Sequence, residues 1–208
     1  FAEAGGNFID TANHYTEGTS ERYVGEFIAA ERERFVLATK YTLNSRPDDP
    51  NGGGNHRKSM VQALDASLKR LGTDYIDLYW LHAWDFMTPV DEVMRAFDDL
   101  VRQGKARYIG VSNFRPAQLE AAMKLRRIDV VQYGWNMFDR RMAREIFPWC
   151  RANGVGVMAY GSLAYGLLTG AFHAGMEFDE ADWRSKRGAL GSLNLFRTMF
   201  GPDHFERN

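Results

Sequence analysis

Two hydrophobic rhythms alternate along this chain. Short β-rich runs are followed by amphipathic stretches in which apolar residues recur every three or four positions. Residues 7–12 form the first strand candidate, and Ser20 then offers an N-cap for a helix over residues 21–30, with Val24, Phe27 and Ile28 on one face. Residues 35–40 predict a second strand. Helical spacing returns over residues 57–71 through Met60, Leu64, Leu68 and Leu71, and Gly72 ends it. Residues 75–82 predict a strand, and residues 90–103 a helix with Val93, Phe97, Leu100 and Val101 inward and Gly104 as its stop. A strand over 108–113 precedes a helix that Pro116 opens and that runs to about Arg126. Residues 130–133 and 155–160 read as strands on either side of a helix over 141–152, ended by Gly154. The pattern weakens after Gly170, so residues 171–208 are expected to be irregular, with fragments of helix.

Strands alternating with covering helices imply βαβ units and a parallel sheet. Six units are present, and the predicted fold class is α/β, a (β/α)8 TIM-barrel type that is incomplete here, as one domain over residues 1–208. No G-x-G-x-x-G follows the first strand, which lowers the doubly wound dinucleotide-binding alternative. Polar residues stand instead at the carboxyl ends of successive strands: Asp10, Lys40, His82, Asn113, Gln132 and Tyr160. Barrel enzymes assemble their sites at that face from several strands. The polar loop over 44–55 is either a surface loop near a site or an unstructured connection.

Composition narrows the partners. The 208 residues, 45% of them hydrophobic, suffice for one sizeable core. With 26 basic and 27 acidic residues the net charge is -1, which argues against nucleic acid or an anionic membrane bound through bulk electrostatics. A single cysteine, Cys150, excludes an intrachain disulfide and a cysteine-rich metal site. No apolar run approaches a membrane span and no basic-then-apolar leader opens the chain, so a cytoplasmic location is expected. His14, His56, His173 and His204 share no ligand spacing, and no metal is assigned.

Three segments carry a resemblance. Asn7-Phe8-Ile9-Asp10-Thr11-Ala12 followed by Tyr15, then Leu37-Ala38-Thr39-Lys40, then Asp77-Leu78-Tyr79-Trp80-Leu81-His82 resemble, in order and separation, the strand-end signatures of the aldo-keto reductases. The likeness extends from Gly5 to about Gly170. It implies reduction of aldehyde and ketone carbonyls to alcohols with NADP(H), with Tyr15 as general acid and Lys40, Asp10 and His82 around it. The chemistry is coherent, because hydride addition builds negative charge on the carbonyl oxygen and calls for a nearby proton donor. An ammonium beside a phenol favours its ionised form, and an imidazole can share in polarising the oxygen. The resemblance also implies cofactor contacts from Ser112, Asn113 and Gln132 to the nicotinamide carboxamide, and from the Tyr160 ring to its face. Gly161, Ser162, Leu163 and Gly166 resemble the loop that meets the pyrophosphate, with Gly161-Ser162 standing where the family has Ser-Pro. Trp84 and Trp135 are candidates for an apolar substrate wall, while the Met and Phe around Asn136 to Phe138, Met137 and Phe138, read as core.

Each residue has an ordinary reading beside the functional one: a strand-end Asp caps a loop, a Tyr in a polar loop lies on the surface, a His after Tyr-Trp-Leu is a satisfied buried group. Four together favour the functional reading. The family's barrel has eight strands, and by the resemblance the first and eighth units are missing here. The eighth carries the grip on the 2′-phosphate, for which only Arg187, among Arg184, Lys186 and Arg197, offers a candidate. A fragment of a longer chain is therefore expected; were the natural chain this short, pairing of its open edges in a homo-oligomer would be expected. Two other functions stay open: a regulatory, cofactor-binding protein of the same fold, and an inactive truncated remnant.

Overall fold

The computed structural model describes residues 1–46, 48–173, 176, 178, 179 and 182. The reading of residues 171–208 as irregular, and the residues Arg184, Lys186, Arg187, Arg197 and His204, fall wholly or largely outside them. Six strands lie in one sheet in the order β1-β2-β3-β4-β5-β6: Phe8–Asp10, Val36–Tyr41, Ile76–Leu81, Ala106–Ser112, Val130–Gly134 and Gly156–Tyr160. The pairs from β1 to β5 are parallel. Five α-helices follow the first five strands: α1 Thr19–Ile28, α2 Arg57–Leu71, α3 Val90–Arg102, α4 Pro116–Met123 and α5 Ile146–Asn153. An order that never reverses is that of a (β/α)8 barrel and not of a doubly wound sheet, whose order turns back at a switch point. Among the described residues no helix is long and apolar enough to cross a membrane.

The chain forms two compact units: Phe1–Gln132 with Trp149–Val157, and Tyr133–Pro148 with the described residues from Met158. In the first, β2 and β3 are buried along nearly their whole length and β4 over its last four residues, whereas β1 is mostly exposed. One face carries Lys40, Trp80 and Gly110, which are neighbours in register. A Cβ at Gly110 would come within 2.2 Å of Trp80 Cε3, so only glycine lets the indole lie flat there. The opposite face sends Tyr41 and Tyr79 toward the helices. Their rings stack at 5.3 Å, Phe97 of α3 meets both edge-on at 6.0 Å, and the Tyr79 hydroxyl donates to the Met60 carbonyl of α2.

Helix α2 has the bounds that its spacing predicts. His56 Nδ1 accepts from Ser59 N at its start, and Gly72, at φ 63°, closes it. Helix α1 differs from expectation. It begins at Thr19 after a left-handed Gly18, and the Ser20 hydroxyl bonds the Thr11 hydroxyl instead of capping. Its buried face is Glu21, Gly25 and Ile28, while Phe27 stays exposed and packs on Phe35 at 5.5 Å. The cause is close helix approach: a Cβ at Gly25 would stand 2.7 Å from the Leu71 carbonyl oxygen. Glu21, fully buried, is held there by Arg70 Nε at 2.6 Å and by the Thr39 hydroxyl at 2.5 Å. The helix expected over 141–152 is instead a short 3-10 turn, Arg141–Ala143, followed by α5.

In the second unit, Asn136 organises a tight turn. Its Oδ1 accepts from Phe138 N and Asp139 N, each at 2.9 Å, and its Nδ2 donates to the Gly161 carbonyl at 3.0 Å. Asn136 and Asp139 are the buried members, and Met137 is 75% exposed, so the polar residues and not the apolar ones form this core. The Asn136 side chain ties the backbone down here, and the methionine side chain lies outside.

Candidate active site

Three consecutive strands and the loop after the first bring Asp10, Tyr15, Lys40 and His82 together. Lys40 is the centre. Its side chain is 1% exposed, and its ammonium meets three oxygens: Asp10 Oδ2 at 2.5 Å, the Thr11 carbonyl at 2.8 Å and the Tyr15 hydroxyl at 3.4 Å. An ammonium has three protons and no lone pair, so this set satisfies it completely. It also orients Tyr15, whose oxygen accepts from Lys40 and whose own proton is thereby turned elsewhere. Asp10 Oδ2 takes a second hydrogen bond, from Gln132 Nε2 at 3.1 Å, which links the end of β5 to the pair.

Tyr15 is 37% exposed and stands at the entrance to an unusual turn. Thr16, Glu17 and Gly18 follow it at φ 49°, 55° and 82°, three left-handed residues in succession. Backbone of this kind costs about 1–3 kcal/mol per non-glycine residue and concentrates at functional sites. The Tyr15 and His82 ring centroids are 6.0 Å apart, in edge-on geometry. Burial, then the Lys40 charge, then His14 push the His82 imidazole down to about 3, so it is neutral near pH 7. A neutral imidazole donates one hydrogen bond and is available to polarise an oxygen.

The loops behind His82 are cross-braced by residues that sequence reasoning passed over. His82 N donates to the Thr42 hydroxyl at 3.2 Å, and that hydroxyl donates to Asn55 Oδ1 at 2.7 Å. Asn55 Nδ2 reaches the Ala83 carbonyl, and Asn55 N donates to Asp85 Oδ2 at 2.6 Å. Asp85 also accepts from Met87 N, Thr88 N and the Thr88 hydroxyl, and these bonds hold its carboxyl below the ordinary carboxylate range despite burial. The loop over 44–55 is thus tied to the site at its far end. Thr42, at φ 100°, sits in a conformation that this bracing sustains. His14 was also passed over: its ring lies 5.0 Å from Tyr15 and 5.2 Å from His82. Its place directly before Tyr15 was the available signal.

Ser112, Asn113 and Gln132 form a second cluster in the same unit. Ser112 Oγ donates to the Gln132 carbonyl at 3.0 Å, Asn113 Nδ2 donates to Ser112 Oγ at 3.0 Å, and Asn113 adopts φ 61°. Ser112 and Gln132 are 1% and 3% exposed, buried polar groups at adjacent strand ends. Hydroxyl and amide groups so placed match a primary carboxamide, which offers two N–H donors and one acceptor. Trp84 packs edge-on against Phe114 at 4.9 Å. A polar cavity of about 100 Å³, lined by Asn13, Glu17, Arg46, Ser59 and Arg70 among others, is large enough for ordered water but not for a substrate with cofactor.

In the second unit, taken by itself, Tyr160 ends β6 and its carbonyl accepts from Trp135 N at 3.2 Å. Trp135 packs on Phe147 at 4.7 Å, with the Arg140 guanidinium 5.3 Å from its ring. Gly161 turns at φ 63°, and a Cβ there would lie 3.1 Å from Tyr165 Cζ, which accounts for glycine at this position. Ser162 and Leu163 lead into a second left-handed run, Ala164, Tyr165 and Gly166 at φ 49°, 57° and 107°.

Comparison with known proteins decides the family. The sequence profile described as "Aldo/keto reductase family" matches residues 1–202. The chain belongs to this family. It is 43% identical over 185 residues to norsolorinic acid reductase of Aspergillus flavus, covering 82% of this chain and 47% of that protein. To the aryl-alcohol dehydrogenase [NADP(+)] of Phanerodontia chrysosporium it is 37% identical over 184 residues, 81% of this chain and 48% of that one. The solved glycerol dehydrogenase of Gluconobacter oxydans superimposes with a TM-score of 0.81 at 32% identity, covering 99% of this chain and 64% of that one. An aldo/keto reductase of Klebsiella pneumoniae, in complex with NADP and acetate, superimposes with a TM-score of 0.69 at 32% identity, over 79% of this chain and 56% of that one. Among its described residues the aldo-keto reductase chain thus carries six strands of an incomplete (β/α)8 barrel, and it spans about half the length of the curated relatives it matches.

Proposed function

We propose that the protein containing this chain reduces the carbonyl of an aldehyde or ketone to an alcohol with NADP(H), Tyr15 acting as general acid. The observation that carries this reading is the Lys40 ammonium, buried and meeting both the Asp10 carboxylate and the Tyr15 hydroxyl. A structural ion pair needs no phenol beside it, whereas a phenol that gives its proton to a developing alkoxide is helped by an adjacent ammonium, which favours the phenolate left behind. A reduced nicotinamide supplies the hydride when bound. Ser112, Asn113 and Gln132 would hold its carboxamide; Tyr160, Gly161, Ser162, Leu163 and Gly166 of the second unit are assigned to the same cofactor by the resemblance. Tyr15 would place its proton on the carbonyl oxygen, Lys40 would steady the phenol oxygen as the proton leaves, and neutral His82 would donate to the same carbonyl oxygen. Trp84 would line the substrate side. The preference for NADP over NAD draws support from the named cofactor of the Phanerodontia chrysosporium enzyme and from the NADP in the Klebsiella pneumoniae structure.

The test uses the full-length natural protein and follows the loss of NADPH absorbance with 4-nitrobenzaldehyde. Tyr15→Phe should lower kcat by about 10²–10⁴-fold, the range for a positioned general acid, and leave the NADPH Kd within about twofold. Turnover that survives Tyr15→Phe would remove the mechanism. NADPH binding without any turnover would instead support a regulatory role.

A further inference from the structure

The site holds one more hydrogen-bonding group than a simple carbonyl can use. A carbonyl oxygen has two lone pairs. Under the reductase reading, on which this inference rests, Tyr15 and His82 take both. His14 then brings a third donor into the same space, its ring 5.0 Å from Tyr15 and 5.2 Å from His82. Its Nδ1 is buried and makes no hydrogen bond among the described residues, as is also true of His82 Nδ1. The surroundings keep His14 where it is. Asn13 N donates to the Lys40 carbonyl and Tyr15 N to the Ala12 carbonyl, so the backbone on both sides of the imidazole is pinned. An apolar residue would pack there without leaving a buried nitrogen unmatched, and burying an unmatched polar group is costly. The buried Nδ1 stays out of reach of a ligand, so the nitrogen that can face a substrate is Nε2, which is not among the buried atoms that lack a partner.

We propose that His14 is a specificity-determining residue that hydrogen-bonds a second oxygen of the substrate, one carried two or three bonds from the reacting carbonyl carbon. The substrate class is then a carbonyl compound with a neighbouring hydroxyl, ether or carbonyl oxygen, and not an isolated aldehyde or ketone. The two rings are neighbours, 5.2 Å apart and tilted by 54°, a separation that leaves room for His82 to meet the reacting oxygen and His14 an adjacent one. Burial, with the nearby Lys40 charge, lowers the His14 imidazole from its ordinary value and keeps it neutral, so it can donate without adding charge to the site.

Two isomeric substrates test this, 2-methoxybenzaldehyde and 4-methoxybenzaldehyde. They differ only in where the second oxygen sits, and neither ionises. In the full-length protein, His14→Val should lower kcat/KM tenfold or more for the 2-isomer and less than twofold for the 4-isomer. His14→Gln, which keeps a donor, should hold the 2-isomer within about threefold of the parent. A general disturbance of Tyr15 would lower both isomers together, so an equal change in the two overturns the inference and leaves the reductase reading intact. No change for the 2-isomer in His14→Val overturns it as well. Absence of turnover by the parent protein on both isomers and on 4-nitrobenzaldehyde overturns the reductase reading, and this inference with it.

Discussion

At the scale of single residues, the centre is a balance of burial and charge. Lys40 is buried with its three protons matched, and that placed charge acts on the two imidazoles nearby. His82 therefore has a consequence for stability as well as for chemistry. Its ordinary value is 6.5 and its value in the fold is about 3, lowered first by burial and then by Lys40 and His14. Between those limits the unfolded chain binds a proton that the folded chain refuses, so stability rises with pH across that window. The contribution is complete above pH 6.5 and shrinks as pH falls toward 3. Urea midpoints at pH 7 and pH 5 should show this loss, and His82→Asn should make the fall shallower. An unchanged slope in that variant would mean that the imidazole titrates normally. Lys40 and the three residues around it were legible because their order and separation match a family signature. His14 was not, because it and the histidines other than His82 offered only metal-ligand spacing to weigh, and adjacency to Tyr15 carries no motif of its own.

At the scale of elements, legibility followed the kind of force involved. Helices α2 and α3 could be placed closely because each is held by an apolar stripe and stopped by a glycine, and both signals are local. Helix α1 could not, because its inner face is set by a backbone approach at Gly25 and a buried Glu21–Arg70 pair, neither of which leaves a periodic apolar trace. The same limit hid the partnership of Gly110 with Trp80, two strands that meet only in the folded sheet. That partnership makes a sharp prediction. A methyl group at position 110 would lie 2.2 Å from the indole and 3.0 Å from the Val130 carbonyl, so backbone or ring must move. Gly110→Ala should destabilise by about 1–3 kcal/mol, the usual range for overpacking, read as a lower urea midpoint. Adding Trp80→Leu should recover part of that loss. A neutral Gly110→Ala would show that the indole has room to shift.

At the scale of the whole molecule, the strand order was legible from the alternation of β-rich and amphipathic runs, but the uneven burial of the strands was not. Strands β2 and β3 are covered nearly throughout and β4 over its last four residues, whereas Phe8 and Asp10 of β1 are exposed. The proposed catalytic group is divided by that boundary. Lys40 and His82 stand on or at the end of well-buried strands, while Asp10 and Tyr15 belong to the thinly covered strand and the left-handed turn after it. Amide exchange reports such differences, because protection follows the free energy of local opening. In a chain of these 208 residues, amides of residues 37–41, 78–81 and 109–112 should exchange slowest, and those of residues 8–18 at least tenfold faster. Tyr15 is thus the part of the centre that has to be ordered, and Lys40 the part that waits in place. Ligands that bridge Tyr15 and His82 should slow exchange over residues 8–18 and leave the buried strands unchanged. Equal protection on both sides of the boundary, before any ligand is added, would show that Tyr15, the proposed acid, is held as rigidly as Lys40.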